Sequence, residues 1–189
     1  MSYRKDKLEV VDEEGNVLRI EERGKIHKEG LLHRETHVWL YTPDGKLIFQ
    51  KRAKDVDTFP ELLDATVGGH VEVGDDHQDT AVKEAKEETG IDLKPEDLRF
   101  IRYIKTTSND PVTGNCNNSI KAQYAVCFRG DLSDLRVEEG KAYGFEAWPI
   151  DQILDPPESI KSQFIPVYFD QVYQEIFREI KSYVQDSEI

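Results

Sequence analysis

Alternation of apolar and polar positions predicts short β-strands over much of the chain. Two apolar runs flank the turn signal Glu14-Gly15-Asn16 and predict an N-terminal hairpin over about 7–21. A β-rich run at 36–41 is followed by the strong turn Pro43-Asp44-Gly45, so a returning strand is expected over 46–52. Further strands are predicted over 65–73, 98–105, 120–128 and 143–148.

Helical spacing appears in two places. Near the end of the chain, apolar residues recur at helical intervals at Phe169, Val172, Ile176 and Ile180. They predict a C-terminal helix over about 166–185 that packs on the domain, with a homodimer contact as the alternative. A second helix is expected to begin near Asp79-Thr80, which are good capping residues, and to end at Gly90.

Two polar segments read as loops. Residues 21–30 have no clear apolar period, and residues 106–118 are rich in Ser, Asn, Gly and Pro. A lid over a substrate is one interpretation of the second segment, and a plain surface loop is slightly favoured because long loops are only sometimes functional. Since no repeat or low-complexity linker interrupts the pattern, we predict a single domain over 1–189.

Composition narrows the class of protein. The chain has 189 residues, of which 38% are hydrophobic, enough for one globular core. Its net charge of −13 argues against a nucleic-acid or membrane-surface binder, which would need a basic patch. The two cysteines are too few for a disulfide scaffold. Without a signal-type N-terminus or an apolar run of spanning length, a soluble cytoplasmic protein is expected.

Three glutamates carry the candidate chemistry. Glu84, Glu87 and Glu88 stand at i, i+3 and i+4, so on a helix they share one face within roughly 100°. Like charges this close repel each other unless a cation lies among them. Carboxylate oxygens suit Mg²⁺, which often shares its ligands with a substrate phosphate. A merely solvated charged face is the alternative, and for the trio alone it is the commoner case.

The spacing around these glutamates is more specific than the trio. Gly69 stands six residues before Asp75, and Lys83 precedes a run that ends at Gly90 and Ile91. The segment resembles the Nudix box of the Nudix hydrolases. That pattern is Gly, five residues, Glu, seven residues, Arg-Glu, an aliphatic residue, any residue, Glu-Glu, any residue, Gly and an aliphatic residue. Asp75 at the first Glu position and Lys83 at the Arg position are conservative departures.

The resemblance implies a fold and a reaction. The fold would be α/β (α+β), a Nudix-type α/β/α sandwich with a mixed sheet and a motif loop-helix. Nudix enzymes cleave a nucleoside diphosphate linked to another moiety, a small-molecule diphosphate, by attack of water on phosphorus with Mg²⁺ or Mn²⁺. Glu84, Glu87 and Glu88 match the catalytic, metal-holding glutamates. Lys83 would orient them as the motif Arg does, and Gly69 would let the backbone approach metal or phosphate.

Segments outside the motif resemble the isopentenyl-diphosphate-isomerase branch of this superfamily and its hydrolase relatives. They are Gly30-Leu31-Leu32-His33-Arg34, Phe49-Gln50-Lys51-Arg52 and the residues leading through Gly68 to His70. In the isomerase, histidines at the positions of His33 and His70 are metal ligands, and a cysteine at the position of Gly68 is the catalytic acid/base. Glycine has no proton to exchange, so hydrolysis is favoured. An isomerase and a non-catalytic nucleotide sensor stay as alternatives.

Four residues around the motif are candidate substrate contacts: Arg52, Gly69, His70 and His33. Arg52 would clamp a phosphate through two parallel hydrogen bonds, and the alternative is a surface salt bridge. For His33 and His70 the alternative is a hydrogen-bonded structural histidine. His27, His37 and His77 have no comparable support from their positions.

Overall fold

A computed structural model gives the fold for residues 7–56, 59–110 and 113–186. Strands in these ranges are Lys7–Val11 (β1), Val17–Glu22 (β2), His33–Tyr41 (β3), Lys46–Arg52 (β4), Leu63–Asp64 (β5), Val67–His70 (β6), Arg99–Asn109 (β7), Cys116–Cys127 (β8) and Ala142–Pro149 (β9). Their α-helices are Arg23–Glu29 (α1), His77–Thr89 (α2), Ile150–Leu154 (α3), Glu158–Lys161 (α4) and Gln171–Asp186 (α5). Across the same ranges, no helix has the length and apolar character needed to cross a membrane.

The main sheet is mixed, as the fold prediction requires. Strands β5-β4-β3-β8-β7 lie side by side, while β6 also pairs with β3 and β9 with β4. The β3–β8 pair is parallel and the other pairs of this sheet are antiparallel. Strands β1 and β2 form the hairpin expected near the N-terminus, as a separate two-stranded sheet.

Alternate residues of β3 face two helical layers, because successive side chains of a strand point to opposite faces. Val38 and Leu40 belong to an apolar cluster that includes Ala81 of α2. Trp39 faces the opposite layer and meets Phe177 of α5 edge to face, with ring centroids 5.0 Å apart. The sheet therefore lies between α2 and α5, which confirms the predicted α/β/α sandwich.

The prediction of a loop over 21–30 is wrong. Strand β2 continues to Glu22 and is followed at once by α1, of which only Ile26 is buried. Gly30 adopts the left-handed conformation that ends this helix, and its N–H donates to the Ile26 carbonyl. One buried position in seven residues is too few to show a helical period, so sequence reasoning missed a helix that bears His27.

Two predicted helix starts also shift. The α2 helix begins at His77, because the side chain of Asp76 caps it by accepting the Asp79 N–H at 2.8 Å. It ends at Gly90, whose φ of 76° is left-handed. The C-terminal helix begins at Gln171, because Pro166–Phe169 forms a separate 3₁₀ turn before it.

Most of the loop predicted over 106–118 is strand. The β7–β8 pairing continues until Asn109 faces Cys116, and Thr107 Oγ1 donates across the pair to Asn118 Oδ1 at 3.1 Å. Residues 110 and 113–115 lie between the paired strand ends, and 111–112 lie outside the described residues. Polar side chains on paired strands gave this hairpin the composition of a loop.

Candidate active site

A cavity of about 790 Å³ opens where β6 meets α2. The β7–β8 hairpin, the Pro166–Phe169 turn and α5 supply its other walls. Several of the candidate residues from the sequence line it, namely Arg52, Gly69, His70, Glu84 and Glu88. The fold therefore brings the end of β4, the glycine pair of β6 and one face of α2 to a single concave site.

Glu88 is the buried acid of this site, with 5% of its surface exposed. Its Oε2 accepts the Gly68 N–H at 3.0 Å, and its Oε1 lies 3.5 Å from Lys141 Nζ. Burial raises the pKa of Glu88 to about 8, outweighing the opposing effects of the Gly68 N–H and Lys141. Without a further cation, the carboxyl therefore holds a proton at neutral pH.

Glu84 lies against the backbone of Gly69. A Cβ at position 69 would stand 2.7 Å from Glu84 Oε1 and would overlap the Cγ and Cδ atoms of the same side chain. Only glycine leaves room for the carboxylate at this place on β6. Glu84 and Glu88, one turn apart on α2, thus reach the neighbouring glycines of one strand.

Glu87 is placed differently from the other two glutamates. It is exposed, and it is not among the residues that line the cavity. Within the described ranges, the three glutamates do not bring three ligand oxygens within 4.8 Å of one another. Their role as catalytic residues and metal ligands stays a prediction, for which the structure brings Glu84 and Glu88 to the cavity.

The two departures from the motif have partners of their own. Lys83 Nζ lies 2.7 Å from Glu72 Oε2, which ties the start of the motif loop to α2. The backbone carbonyl of Asp75 accepts from Arg34 Nη2 at 3.2 Å. Both residues therefore brace the loop that carries the chain from β6 into α2.

A histidine cluster forms the second part of the site. His27 of α1, His33 of β3 and His70 of β6 bring three ring nitrogens within 4.8 Å of one another, and the described residues contain no other group of this kind. The Nε2 atoms of His27 and His70 are 3.1 Å apart. Sequence reasoning singled out His33 and His70 but missed His27.

The protonation of these rings suits a metal ligand. His33 Nδ1 lies 3.0 Å from the Leu31 carbonyl, which can only accept, so Nδ1 donates to it and Nε2 is the ring nitrogen left to face a metal ion. That Nε2 is buried and has no hydrogen-bond partner among the described residues. Burial lowers the pKa of His27 to about 4 and that of His70 to about 3, so both are neutral near pH 7. The cluster fits one divalent transition-metal ion.

Glu35 lies beneath the cluster as a buried anion. It accepts from Ser119 Oγ at 2.5 Å and from Lys121 Nζ at 2.9 Å, and its Oε1 is 3.3 Å from His70 Nε2. Burial opposes its charge, but Lys121 and the neighbouring histidines hold its pKa well below the usual value. Glu35 therefore orients the ring of His70.

Arg52 is fixed in the cavity wall by a carboxylate. Its Nη1 lies 2.7 Å from Asp64 Oδ2, and Asp64 also accepts from the hydroxyl of Tyr168. The salt bridge considered as an alternative is present, and Arg52 nevertheless lines the cavity. Its role in binding a phosphate stays a prediction.

The tip of the β7–β8 hairpin also reaches the cavity, at Asp110, Thr113, Asn115 and Asn117. The hairpin is therefore part of the cavity wall, and its interpretation as a lid over a substrate stays a prediction. Lys121 and Lys141 line the cavity as well. No sequence signal marked these two isolated lysines, because only the folded chain brings them to the motif.

Comparisons with known proteins agree with this geometry. A family model described as NUDIX domain matches residues 31–168. A Nudix hydrolase of Clostridium acetobutylicum is 29% identical over 173 residues, covering 90% of this chain and 79% of that protein. One of Streptomyces coelicolor is 37% identical over 145 residues, covering 77% and 76%.

Solved structures show the same fold. The DR0079 protein of Deinococcus radiodurans superimposes with a TM-score of 0.64 at 20% identity, covering 92% of this chain and 98% of that one. The NUDIX domain of NrtR from Shewanella oneidensis, solved as a complex with ADP ribose, gives a TM-score of 0.55 at 15% identity, covering 78% and 87%.

The chain belongs to the Nudix family, as its motif spacing predicted, and it is a pyrophosphohydrolase that hydrolyses a diphosphate linkage. Its placement in the isopentenyl-diphosphate-isomerase-like branch stays a prediction.

Proposed function

We propose that this protein is a metal-dependent hydrolase that cleaves the diphosphate linkage of a nucleoside diphosphate-X type substrate by attack of water on phosphorus. One observation carries the proposal. Glu84 and Glu88, one turn apart on α2, both enter the cavity at the backbone of the Gly68-Gly69 pair. Two carboxylates held at a glycine strand offer hard oxygen ligands beside space for a phosphate.

The donor set supports a divalent cation at this place. Glu84 and Glu88 would hold Mg²⁺ or Mn²⁺, and a cation there would stabilise the charged form of Glu88, whose pKa burial raises to about 8. When bound, such an ion neutralises diphosphate charge and makes a bound water more acidic. His27, His33 and His70 would hold a second ion, for which imidazole favours Mn²⁺ or another transition metal over Mg²⁺.

The protein's own groups then position the reaction. The Gly68 N–H fixes one oxygen of Glu88, and the other oxygen faces Lys141. Lys141 and Arg52 place positive charge in the cavity wall, where they would contact phosphate oxygens. One carboxylate of the Glu84–Glu88 pair would take the proton of the attacking water.

An isomerase is disfavoured by the surroundings of Gly68. A Cβ at this position would point at the ring of His37, 3.3 Å from its Cδ2. Glycine supplies no exchangeable proton there, so allylic proton transfer lacks the partner that the isomerase uses. A non-catalytic sensor is disfavoured because a pure binder need not keep the carboxylates of Glu84 and Glu88 at the cavity.

A substrate screen tests the proposal. Nucleoside triphosphates, dinucleoside polyphosphates, nucleotide sugars, NADH, coenzyme A and isopentenyl diphosphate would be incubated with Mg²⁺ or Mn²⁺. We expect cleavage of a nucleotide-linked diphosphate that EDTA abolishes, with ¹⁸O from labelled water appearing on a product phosphate. Turnover that persists in EDTA, or isomerised isopentenyl diphosphate as the sole product, would contradict it.

A further inference from the structure

The wall of the cavity beside α5 holds two buried polar residues that the proposed reaction does not use. His37 of β3 is 8% exposed and Gln50 of β4 is 5% exposed, and both line the cavity. The aromatic rings of Tyr168 and Tyr173 stand beside them in the same wall. These four residues of the cavity wall form what we call the polar floor.

Both polar residues bury an atom that nothing in the described chain satisfies. Gln50 Nε2 and His37 Nδ1 are inaccessible and have no hydrogen-bond partner among the described residues. Buried polar groups in folded proteins are nearly always paired, since an unpaired one costs stability. Both residues line the cavity, so a small rotation of each side chain would bring these atoms to a ligand that completes their hydrogen bonds.

The charge of the polar floor limits what that ligand is. Two cations of the cavity wall are each paired with a carboxylate, Lys121 with Glu35 at 2.9 Å and Arg52 with Asp64 at 2.7 Å. Burial lowers the pKa of His37 to about 4, so its ring is neutral near pH 7. The floor offers hydrogen bonds without net charge, which suits a neutral polar group better than a phosphate.

We propose that Gln50 and His37 form a subsite for a neutral hydrogen-bonding group, such as a sugar hydroxyl or a base carbonyl, on the moiety joined to the diphosphate. The inference rests on the proposed function and narrows its substrates. A hydrocarbon chain in this place would leave both polar atoms without a hydrogen-bond partner. Sites built to hydrogen-bond a substrate reject analogues that lack the group, so isoprenoid diphosphates are poor substrates.

A matched pair of variants tests the subsite. Gln50→Met keeps the side-chain length and removes the amide. Thr36→Val is the control, because it removes a hydroxyl that is also buried and unpaired among the described residues but does not line the cavity. We would measure kcat/KM with ADP-ribose, ADP-glucose and NADH, and with isopentenyl and geranyl diphosphate. The wild type should prefer the first group. Gln50→Met should lose at least tenfold on its best substrate, mainly through KM, without losing activity on the prenyl diphosphates.

Thr36→Val should keep the wild-type preference. A wild-type preference for prenyl diphosphates, or an equal loss on both groups in Gln50→Met, would overturn the subsite.

The melting temperature of the ligand-free protein gives a readout that needs no turnover. Because Gln50→Met removes a buried polar group that has no partner, the variant should melt at the wild-type temperature or higher. A clear fall would show that the protein itself satisfies the amide, and would overturn the subsite while leaving the proposed function intact. Absence of turnover on every diphosphate would instead overturn the proposed function, and the melting temperature would still decide whether the amide is unpaired.

Discussion

The carboxylate of Glu88 accepts the backbone N–H of Gly68 at 3.0 Å, which links α2 directly to β6. The same glycine turns its open side toward the ring of His37. Gly68, which has no side chain, therefore lies between Glu88 of α2 and His37 of the polar floor. This arrangement lets a diphosphate site and a binding site for the attached moiety share a single strand.

The metal-free protein should lose stability as pH rises, because of Glu88. The pKa of Glu88 is raised from 4.5 to about 8 by burial, so between these values the folded state holds a proton that the unfolded state has released. The contribution is present below pH 4.5 and is lost through pH 8, with a slope approaching about 1.4 kcal/mol per pH unit. Urea unfolding in EDTA at several pH values would show the free energy of unfolding of the wild type falling with pH relative to that of Glu88→Gln. If the free energy of unfolding depended on pH in the same way in both proteins, the raised pKa of Glu88 would be refuted.

Gly69→Ala should inactivate the enzyme without unfolding it. The added Cβ collides with the end of the Glu84 side chain, which must shift and then leaves its place in the cavity. A displaced catalytic group costs about 100-fold in rate, measured as kcat with Mg²⁺. Gly144→Ala, where a Cβ meets nothing within 4 Å, is the control and should keep full activity. Equal activity in both variants would show that the position of Glu84 is unimportant.

His27→Ala should weaken the binding of Mn²⁺ or Co²⁺ to the histidine cluster. The ring nitrogens of His27, His33 and His70 share one small volume, so removing one leaves an incomplete ligand set. We expect a loss of roughly tenfold or more in affinity, measured by calorimetric titration at pH 7. His77→Ala removes a histidine outside the cluster and should bind as the wild type does. Unchanged affinity in His27→Ala would mean that the cluster is structural.

Tyr168→Phe should destabilise the fold under the cavity. The Tyr168 hydroxyl donates to Asp64 and accepts the Ala65 N–H at 2.9 Å, and the residue is only 2% exposed. Removing the hydroxyl leaves the partly buried Asp64 with one donor fewer, at a cost of about 1–3 kcal/mol in urea unfolding. Tyr143→Phe is the comparison, because Tyr143 is 61% exposed and its loss should cost at most about 0.5 kcal/mol. Similar losses of stability in both variants would show that the hydrogen bonds of Tyr168 with Asp64 and Ala65 do not stabilise the fold.

Local patterns in the sequence predicted the frame of this site well. The motif spacing located α2 and its closing Gly90, and the β-rich run at 36–41 marked β3, whose burial on both faces the structure added. These features depend on residues close together in the chain. Fixed turn geometry and the period of each element are enough to express them.

The rest of the site depends on which strands become neighbours. His27 is carried by a helix too short to show a period, and its partner His70 lies 43 positions away. Gln50 and His37 share a cavity wall because β4 and β3 lie in one sheet, and Lys141 reaches Glu88 from beyond the hairpin. No local pattern encodes these distances, so the place of His27 beside His33 and His70 and the polar floor emerged only from the fold.

The central claim is that carboxylates at the glycine strand carry metal-dependent hydrolysis, and Glu88→Gln tests it most directly. Initial rates on the best diphosphate would be measured across a Mg²⁺ titration for the wild type, Glu88→Gln and the exposed control Glu96→Gln. We predict that Glu88→Gln loses at least about 100-fold in kcat/KM at every Mg²⁺ concentration while its melting temperature is maintained, and that Glu96→Gln behaves as the wild type. Wild-type turnover by a folded Glu88→Gln protein would contradict the account.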